Sequence, residues 1–89
     1  MEISFSPDVL EKLMEINRRQ PRTYKRIQKQ LVLFKQDPSY PSLRTHKLKG
    51  NLGDCWSVSV EGDLRMLYRF NKEGIVFFAI GTHDEVYRK

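Results

Sequence analysis

Residues 55–70 read CWSVSVEGDLRMLYRF, and this stretch predicts two antiparallel strands joined by a tight turn. The side chains alternate with a period of two from Cys55 to Val60 and again from Leu64 to Phe70, as in strands with two different faces. Between them, Glu61-Gly62-Asp63 is typical of a hairpin turn, because glycine adopts a positive φ at little cost. The centre of the domain is therefore predicted to be an antiparallel sheet.

Toward the N-terminus, the pattern changes from strand to helix. Glu2–Phe5 alternates as a short strand, and Ser6-Pro7-Asp8 predicts a helix start, since serine caps free N–H groups and proline fits the first helical position. This helix is expected to run to about Asn17. A second amphipathic helix follows Gln20-Pro21 and ends before Asp37-Pro38, which predicts an antiparallel helical hairpin with a short loop.

The remaining segments complete a single sheet. Thr45–Lys49 is predicted to be a strand that ends at Gly50, and Asn71–Gly74 to be a turn. Ile75–Ile80 is apolar on both faces, which favours a central strand covered on both sides. The order of one strand, two helices and four strands predicts one α+β domain over residues 1–89. In it, the helical hairpin packs on a mostly antiparallel sheet of about four to five strands.

Composition excludes several classes of protein. The 89 residues are 39% hydrophobic, which suits one globular domain, and no apolar run approaches the about 20 residues of a membrane span. The single cysteine excludes an internal disulfide, and with only two histidines it is a poor ligand set, so no metal or other cofactor is predicted. The first residues lack a secretory signal pattern, and we expect a cytoplasmic protein without a membrane partner.

The net charge of +5 is concentrated in the helical part of the chain. Between Arg18 and Lys35 there are seven basic residues and no acidic one. A solvated helix face explains such a run as well as a surface that binds phosphate or an acidic protein, so charge alone does not decide between them. The candidate phosphate contacts in this run are Arg22, Lys25 and Lys29.

Polar residues on the predicted sheet match the requirements of RNA cleavage without a metal. Such cleavage needs a base, an acid and a cation beside the phosphate. Histidine suits the first two roles, because its ordinary pKa of about 6.5 is close to working pH, and arginine suits the third. Aromatic rings can hold a base by stacking. The residues concerned are His46, Lys47, Lys49, Asp54, Trp56, Asp63, Arg65, Arg69, His83 and Tyr87.

Each of these residues also has a simpler explanation. A lone histidine at a strand end is more often a hydrogen-bonded surface residue, and Trp56 fits ordinary sheet packing. Arg65 can pair with Asp63 or Asp54 across the hairpin, and Cys55 is expected to be a small buried residue. The residues by themselves indicate a small basic α+β domain with a candidate phosphate-handling face.

Several motifs resemble the RelE/ParE superfamily of bacterial toxin–antitoxin toxins. The resemblance covers almost the whole chain and is carried by LKG at 48–50, DCWSVSV at 54–60, DLRMLYRF at 63–70 and IGTHDEVY at 80–87. It implies the fold described above. In this superfamily the RelE-like and YafQ-like branches cleave mRNA, typically in the ribosomal A site and without a metal, whereas the ParE branch acts on DNA gyrase.

Position by position, the resemblance implies a catalytic site. His46 and His83 match the acid–base histidines of the YafQ-like branch, and Arg65 matches an arginine that contacts the scissile phosphate. Tyr87 matches a terminal aromatic that orients or stacks on the substrate, and Asp63 falls near a site aspartate. Further RNA or phosphate contacts are expected from a second group of residues, namely Lys47, Lys49, Trp56, Arg69, Arg22, Lys25 and Lys29.

The chain also departs from both branches. Ser57 and Ser59 stand where RelE-like enzymes have lysines, Trp56 stands where YafQ-like enzymes have a histidine, and Leu64 stands where they have a tryptophan. We therefore expect histidine-driven chemistry from a ribosome-dependent mRNA endoribonuclease that binds mRNA, ribosomal RNA and a small acidic antitoxin. Two alternatives stay open: a gyrase inhibitor in which the histidines are incidental, and a non-catalytic relative that only binds an antitoxin.

Overall fold

A computed structural model of the chain describes residues 2–48 and 54–87, in the order strand, two helices, four strands and a short final helix. The strands are β1 (Glu2–Phe5), β2 (His46–Leu48), β3 (Cys55–Glu61), β4 (Leu64–Phe70) and β5 (Gly74–Thr82); the helices are α1 (Pro7–Arg19), α2 (Pro21–Gln36) and α3 (His83–Tyr87), with a 3-10 turn at Pro41–Leu43. No helix within these two ranges is long and apolar enough to cross a membrane.

The strands form one mixed sheet in the order β1-β5-β4-β3-β2. β1 pairs with β5 in parallel, and the other three pairs are antiparallel. The predicted α+β class and mostly antiparallel sheet are therefore confirmed. β5 is an interior strand, as its apolar character indicated, but the middle position belongs to β4.

The β3–β4 hairpin follows its sequence pattern. Gly62 in the turn has a φ of 50°, the left-handed conformation for which glycine was predicted. The alternation sends Val58 and Met66 to the face that packs against the helices. We call the opposite side of the sheet the far face and define it by Ser57, Ser59, Arg65, Leu67 and Gly81, which are paired across β3, β4 and β5.

The helical hairpin has a tighter joint than predicted. The N–H of Val9 donates to the Ser6 hydroxyl at 3.3 Å, so the predicted cap of α1 is confirmed. α1 does not end near Asn17, however, but runs two residues farther to Arg19. Gln20 alone separates the helices, because its N–H completes the last turn of α1 and its carbonyl accepts the first hydrogen bond of α2.

The main core lies between the helical hairpin and one face of the sheet, and aromatic rings fill its centre. Phe77 is fully buried, and its ring stacks on Phe5 at a centroid distance of 5.6 Å. The same ring meets Phe34 at 5.5 Å and Tyr68 at 5.4 Å in edge-to-face geometry. Burial raises the pKa of the Tyr68 hydroxyl. One β5 residue therefore joins β1, α2 and β4.

Polar bonds fix α2 over β3. The buried Gln30 donates from Nε2 to the carbonyl of Ser59 at 2.9 Å and to that of Ser42 at 3.3 Å. One turn earlier, Nε of Arg26 donates to the carbonyl of Val60 at 3.1 Å. The side of α2 that faces away from β3 is therefore the one that contacts α1 and solvent.

Two predicted elements need correction. The predicted order of elements ended in a strand and contained no third helix, but His83–Tyr87 forms α3. β2 is also shorter than the predicted Thr45–Lys49. Thr45 lies outside the strand, and its hydroxyl donates to the carbonyl of Pro38 at 2.7 Å. Lys49 and Gly50 lie outside the described residues.

Candidate active site

Four of the residues that the resemblance assigns to catalysis form one connected group on the far face. Nη2 of Arg65 lies 3.9 Å from Oδ1 of Asp63, and Cζ of Arg65 lies 6.0 Å from the ring centroid of Tyr87. The rings of Tyr87 and His83 meet edge to face at a centroid distance of 4.2 Å. Side chains from the hairpin turn, β4 and α3 therefore converge in one place.

Arg65 is the centre of this group and has unused hydrogen-bonding capacity. Its side chain is only 21% exposed, and Nε is a buried donor that has no hydrogen-bond partner among the described residues. The 3.9 Å approach to Asp63 supplies charge attraction but is too long for a hydrogen bond. A buried donor without a partner costs stability, so this guanidinium is suited to donate to a ligand oxygen.

A reciprocal cap holds α3 in place. The backbone N–H of Thr82 donates to Oε1 of Glu85 at 2.7 Å, and the N–H of Glu85 approaches the Thr82 hydroxyl at 3.4 Å. Gly81 leaves room for this arrangement, because a Cβ there would lie 2.9 Å from Oε1 of Glu85. With Val86 buried as an anchor, the cap places Tyr87 beside Arg65 and His83 against Tyr87.

Glu85→Ala is expected to loosen α3 without unfolding the domain. Loss of a cap costs about 1 kcal/mol, which lowers the ratio of docked to undocked helix about fivefold. The measurement is the 13Cα chemical shifts of residues 83–87, which should move toward random-coil values. Glu85→Gln is the matched control, since its amide oxygen can still accept from Thr82, and unchanged shifts in Glu85→Ala would contradict a capping role.

The same cap predicts a pH dependence with a defined sign. The backbone N–H of Thr82, followed by its hydroxyl, holds the pKa of Glu85 below its ordinary value. A carboxylate with a lowered pKa stabilises the folded arrangement above its ordinary pKa, and this stabilisation is lost as the pH falls through the lowered value. The helical shifts of α3 should therefore decline at acid pH in the wild-type chain but not in Glu85→Gln.

His46 lies on the far face but is not in contact with the other four residues. It pairs with Ser57 on β3, so two strand spacings, about 10 Å, separate it from the β4 strand of Arg65. Its Nδ1 lies 3.0 Å from the carbonyl of Arg44. Since a carbonyl only accepts, this bond requires a proton on Nδ1, and in the neutral ring Nε2 is then free to accept one.

Lys47 and Trp56 lie on the opposite side of the sheet from Arg65. They face each other across β2 and β3, with Nζ of Lys47 5.4 Å from the Trp56 ring and 3.5 Å from Asp54. Trp56 stacks on Tyr68 at 5.8 Å. The structure therefore does not bring these two candidates together with the group around Arg65.

The remaining candidates are dispersed. Cζ of Arg69 lies 4.0 Å from the centroid of the Phe78 ring. Arg69 is two residues beyond Leu67 in β4, so it lies on the same side of the sheet as Arg65. Arg22, Lys25 and Lys29 are exposed on α2 and belong to the helix side of the molecule, and Lys49 lies outside the described residues.

Cys55 is a small buried residue, as predicted. Its side chain is buried, and desolvation raises the pKa of the thiol. A thiol kept protonated in this way is a poor nucleophile. Cys55 is therefore a poor candidate for a nucleophile.

The sequence interpretation missed the residues that position the site. Thr82, Glu85 and Gly81 were assigned no role, although Thr82-His83-Asp84-Glu85 is a capping-box pattern that can be recognised in a sequence. The buried Nε of Arg65 had no such signal, because burial of one atom depends on which segments pack around it.

Comparison with known proteins identifies a family and related folds. Residues 1–88 match the family model described as the bacterial toxin of a type II toxin–antitoxin system, YafQ. None of the curated proteins matches the sequence.

Solved structures share the fold at low sequence identity. The YoeB–YefM toxin–antitoxin complex from Staphylococcus aureus has a TM-score of 0.76 at 21% identity, covering 93% of this chain and 97% of that chain. The YoeB/ParE toxin from Agrobacterium tumefaciens has a TM-score of 0.78 at 19% identity, covering 93% and 99%. YafQ from E. coli strain BL21(DE3) has a TM-score of 0.68 at 18% identity, covering 97% of each chain.

Proposed function

The chain belongs to the YafQ family of toxins from bacterial type II toxin–antitoxin systems, and on this premise we propose that it cleaves mRNA on the ribosome without a metal. The proposed site of action is the cytoplasm, where translation takes place. The observation that carries the proposal is the environment of Arg65. Its side chain is mostly buried, its Nε has no hydrogen-bond partner within the described part of the chain, and it lies beside Tyr87 and Asp63.

Arg65 is proposed to bind the scissile phosphate. A guanidinium fork matches two phosphate oxygens, and partial burial strengthens the attraction to the charge that develops in the transition state. Oδ1 of Asp63 attracts the Arg65 guanidinium at 3.9 Å but accepts no hydrogen bond from its N–H groups. Tyr87 provides an aromatic surface next to the phosphate, on which a base can stack.

The two histidines are proposed to share the proton transfers. In the reaction the 2′-oxygen forms a bond to phosphorus while the bond from phosphorus to the 5′-oxygen breaks. His46 has Nε2 available to take the 2′-hydroxyl proton when Nδ1 donates to Arg44. His83, at the other side of Arg65, would give a proton to the leaving 5′-oxygen. The part of the far face that lies over β3, between His46 and Arg65, is then the proposed place of the nucleotide.

The proposed partners follow from charge and from the family. A chain of net charge +5 fits ribosomal RNA and mRNA in the A site, with Arg22, Lys25 and Lys29 as contacts outside the cleavage site. Lys47, Lys49, Trp56 and Arg69 are proposed as further RNA contacts. An acidic antitoxin is also proposed, and the relative from Staphylococcus aureus, whose structure is a toxin–antitoxin complex, supports it.

His83→Ala is expected to lower cleavage by about 100- to 10,000-fold, because a general acid supplies acceleration of that order. The measurement is primer extension on an mRNA translated in the presence of the purified chain. Cleavage should require translation of the message. Glu73→Ala is the control, since Glu73 is exposed in the turn before β5, whereas Asp84 lies 3.8 Å from Nδ1 of His83 and is unsuitable.

Three outcomes would contradict the proposal. Undiminished cleavage by His83→Ala would remove His83 from the site. Inhibition of DNA supercoiling at stoichiometric amounts of the chain, with mRNA intact, would indicate a gyrase inhibitor. Harmless expression without any antitoxin would indicate a non-catalytic relative.

A further inference from the structure

Arg44, two residues before His46, has a backbone conformation that is unusual for its residue type. Its φ is 47° and its ψ is 41°, and among the described residues it is the only one other than glycine with a positive φ. A left-handed backbone costs an arginine stability that a glycine would retain. Strained backbone of this kind is concentrated at functional sites. Its place beside a proposed catalytic histidine therefore calls for an explanation.

Contacts of the neighbouring residues fix the backbone of Arg44. Its N–H donates to the carbonyl of Pro41 at 3.2 Å, and the intervening Leu43 is fully buried. On the other side of Arg44, the hydroxyl of Thr45 donates to the carbonyl of Pro38 at 2.7 Å. The chain is thus held on both sides of Arg44, and this residue adopts the backbone angles that join the two held segments.

The carbonyl of Arg44 lies 3.0 Å from Nδ1 of His46. His46 pairs with Ser57, so its backbone lies in the sheet and its side chain stands on the far face. Carbonyls of an extended strand lie in the plane of the sheet, whereas side chains stand perpendicular to that plane. An extended residue at position 44 would therefore direct its carbonyl along the sheet and away from the imidazole. The left-handed turn at Arg44 brings the carbonyl to the ring.

This bond makes the two ring nitrogens of His46 chemically different. A carbonyl only accepts, so the bond holds the imidazole proton on Nδ1 and leaves Nε2 with a lone pair. A neutral imidazole in water prefers the proton on Nε2, so the bond reverses the ordinary preference. When Nε2 takes a second proton the ring becomes positive, and the bond to the carbonyl strengthens because its donor is then charged. One backbone carbonyl therefore selects the basic nitrogen and stabilises the protonated ring.

We propose that Arg44 is a positioning residue for His46, whose left-handed backbone aims a carbonyl at Nδ1 and thereby keeps Nε2 able to take the 2′-hydroxyl proton. The inference rests on the proposed function, in which His46 is the base. The side chain of Arg44 is not required, because the carbonyl belongs to the backbone. The simpler explanation, that Arg44 only ends the 3-10 turn, predicts no dependence of cleavage on its backbone angles.

The first test is the protonation of the His46 ring in the wild-type chain. The 15N chemical shifts distinguish a protonated ring nitrogen from an unprotonated one at alkaline pH, where imidazoles are neutral. His83→Ala assigns the signals, since it leaves a single histidine in the chain. Nδ1 is expected to carry the proton. A proton on Nε2 would overturn the proposal, whether or not the chain cleaves mRNA.

The second test separates the backbone of Arg44 from its side chain. Arg44→Val and Arg44→Asn both remove the charge, but asparagine tolerates the left-handed region and β-branched valine does not. Arg44→Val should move the imidazole proton toward Nε2. It should also lower single-turnover mRNA cleavage about 10- to 100-fold, the effect of misplacing a catalytic group. Arg44→Asn is the matched control, and it should keep the proton on Nδ1 and cleave like wild type.

The outcomes distinguish this inference from the proposed function. Absence of cleavage by the wild-type chain would refute the proposed function, while the ring shifts would still decide whether Arg44 positions the proton. An equal loss of cleavage in Arg44→Asn and Arg44→Val would show that the side chain matters rather than the backbone. Wild-type ring shifts in Arg44→Val would show that the left-handed angles are not needed. Either result would overturn the positioning role, and the wild-type measurement decides even if Arg44→Val does not fold.

Discussion

Arg65→Ala is expected to lower ribosome-dependent mRNA cleavage by about 100- to 1000-fold, the usual effect of removing one preorganised donor from a developing negative charge. The stability of the fold should change little. Among the described residues Nε of Arg65 has no hydrogen-bond partner, so the substitution breaks no hydrogen bond seen at that atom, and the ion pair with Asp63 is loose at 3.9 Å. Single-turnover cleavage and thermal melting, measured on the same preparation, check both expectations.

Two further variants define what Arg65 contributes. Arg65→Lys keeps the charge but lacks the planar fork, so it should recover only part of the activity. Lys72→Ala removes an exposed cation from the β4–β5 turn and should cleave like wild type. Full activity in Arg65→Ala would show that phosphate is bound elsewhere. A large loss of melting temperature in Arg65→Ala would show that the residue is structural.

Phe77→Ala is expected to destabilise the domain by about 3–5 kcal/mol, because it removes a fully buried ring and leaves a cavity. A domain of this size has a total stability of order 5–15 kcal/mol, so the variant would be close to unfolding. The effect should be large because the ring joins three elements, through Phe5, Phe34 and Tyr68. Urea denaturation followed by circular dichroism gives the free energy of unfolding.

Phe70→Ala is the matched control for this variant. Phe70 is an aromatic residue of β4, but it is mostly exposed, and its ring meets those of Trp56 and Tyr68 edge to face. Its loss should cost about 1 kcal/mol or less, the value of such aromatic pairs. Equal destabilisation by the two substitutions would mean that the core is not centred on Phe77.

Local patterns predicted most of the fold. The period of two in CWSVSV and in LRMLYRF determines both strands, because side chains of an extended chain must alternate between faces. The cap at Ser6 depends on one hydroxyl and neighbouring N–H groups, so it is also visible in the sequence. The same alternation placed Trp56 with Val58, and thus apart from Arg65, although residue type alone suggested a common RNA surface.

Features that depend on distant segments were not predictable in this way. The end of α1 at Arg19 depends on the single-residue joint at Gln20. The parallel pairing of β1 with β5 also has no local signal in the sequence. The site shows the same limit. Arg65 and Tyr87 were named from the resemblance, whereas their proximity depends on a cap at Thr82 and on the space above Gly81.

β1 is synthesised long before β5, the strand with which it pairs. The hydroxyl of Ser4 donates to the carbonyl of Ile75, which is 71 residues farther along the chain. At about 5–20 residues per second, synthesis leaves β1 without its neighbour for about 4–14 seconds. Arg65, His83 and Tyr87 also emerge late, after both helices. The proposed cleavage site, which needs these three residues, can therefore form only when synthesis of the chain is almost complete.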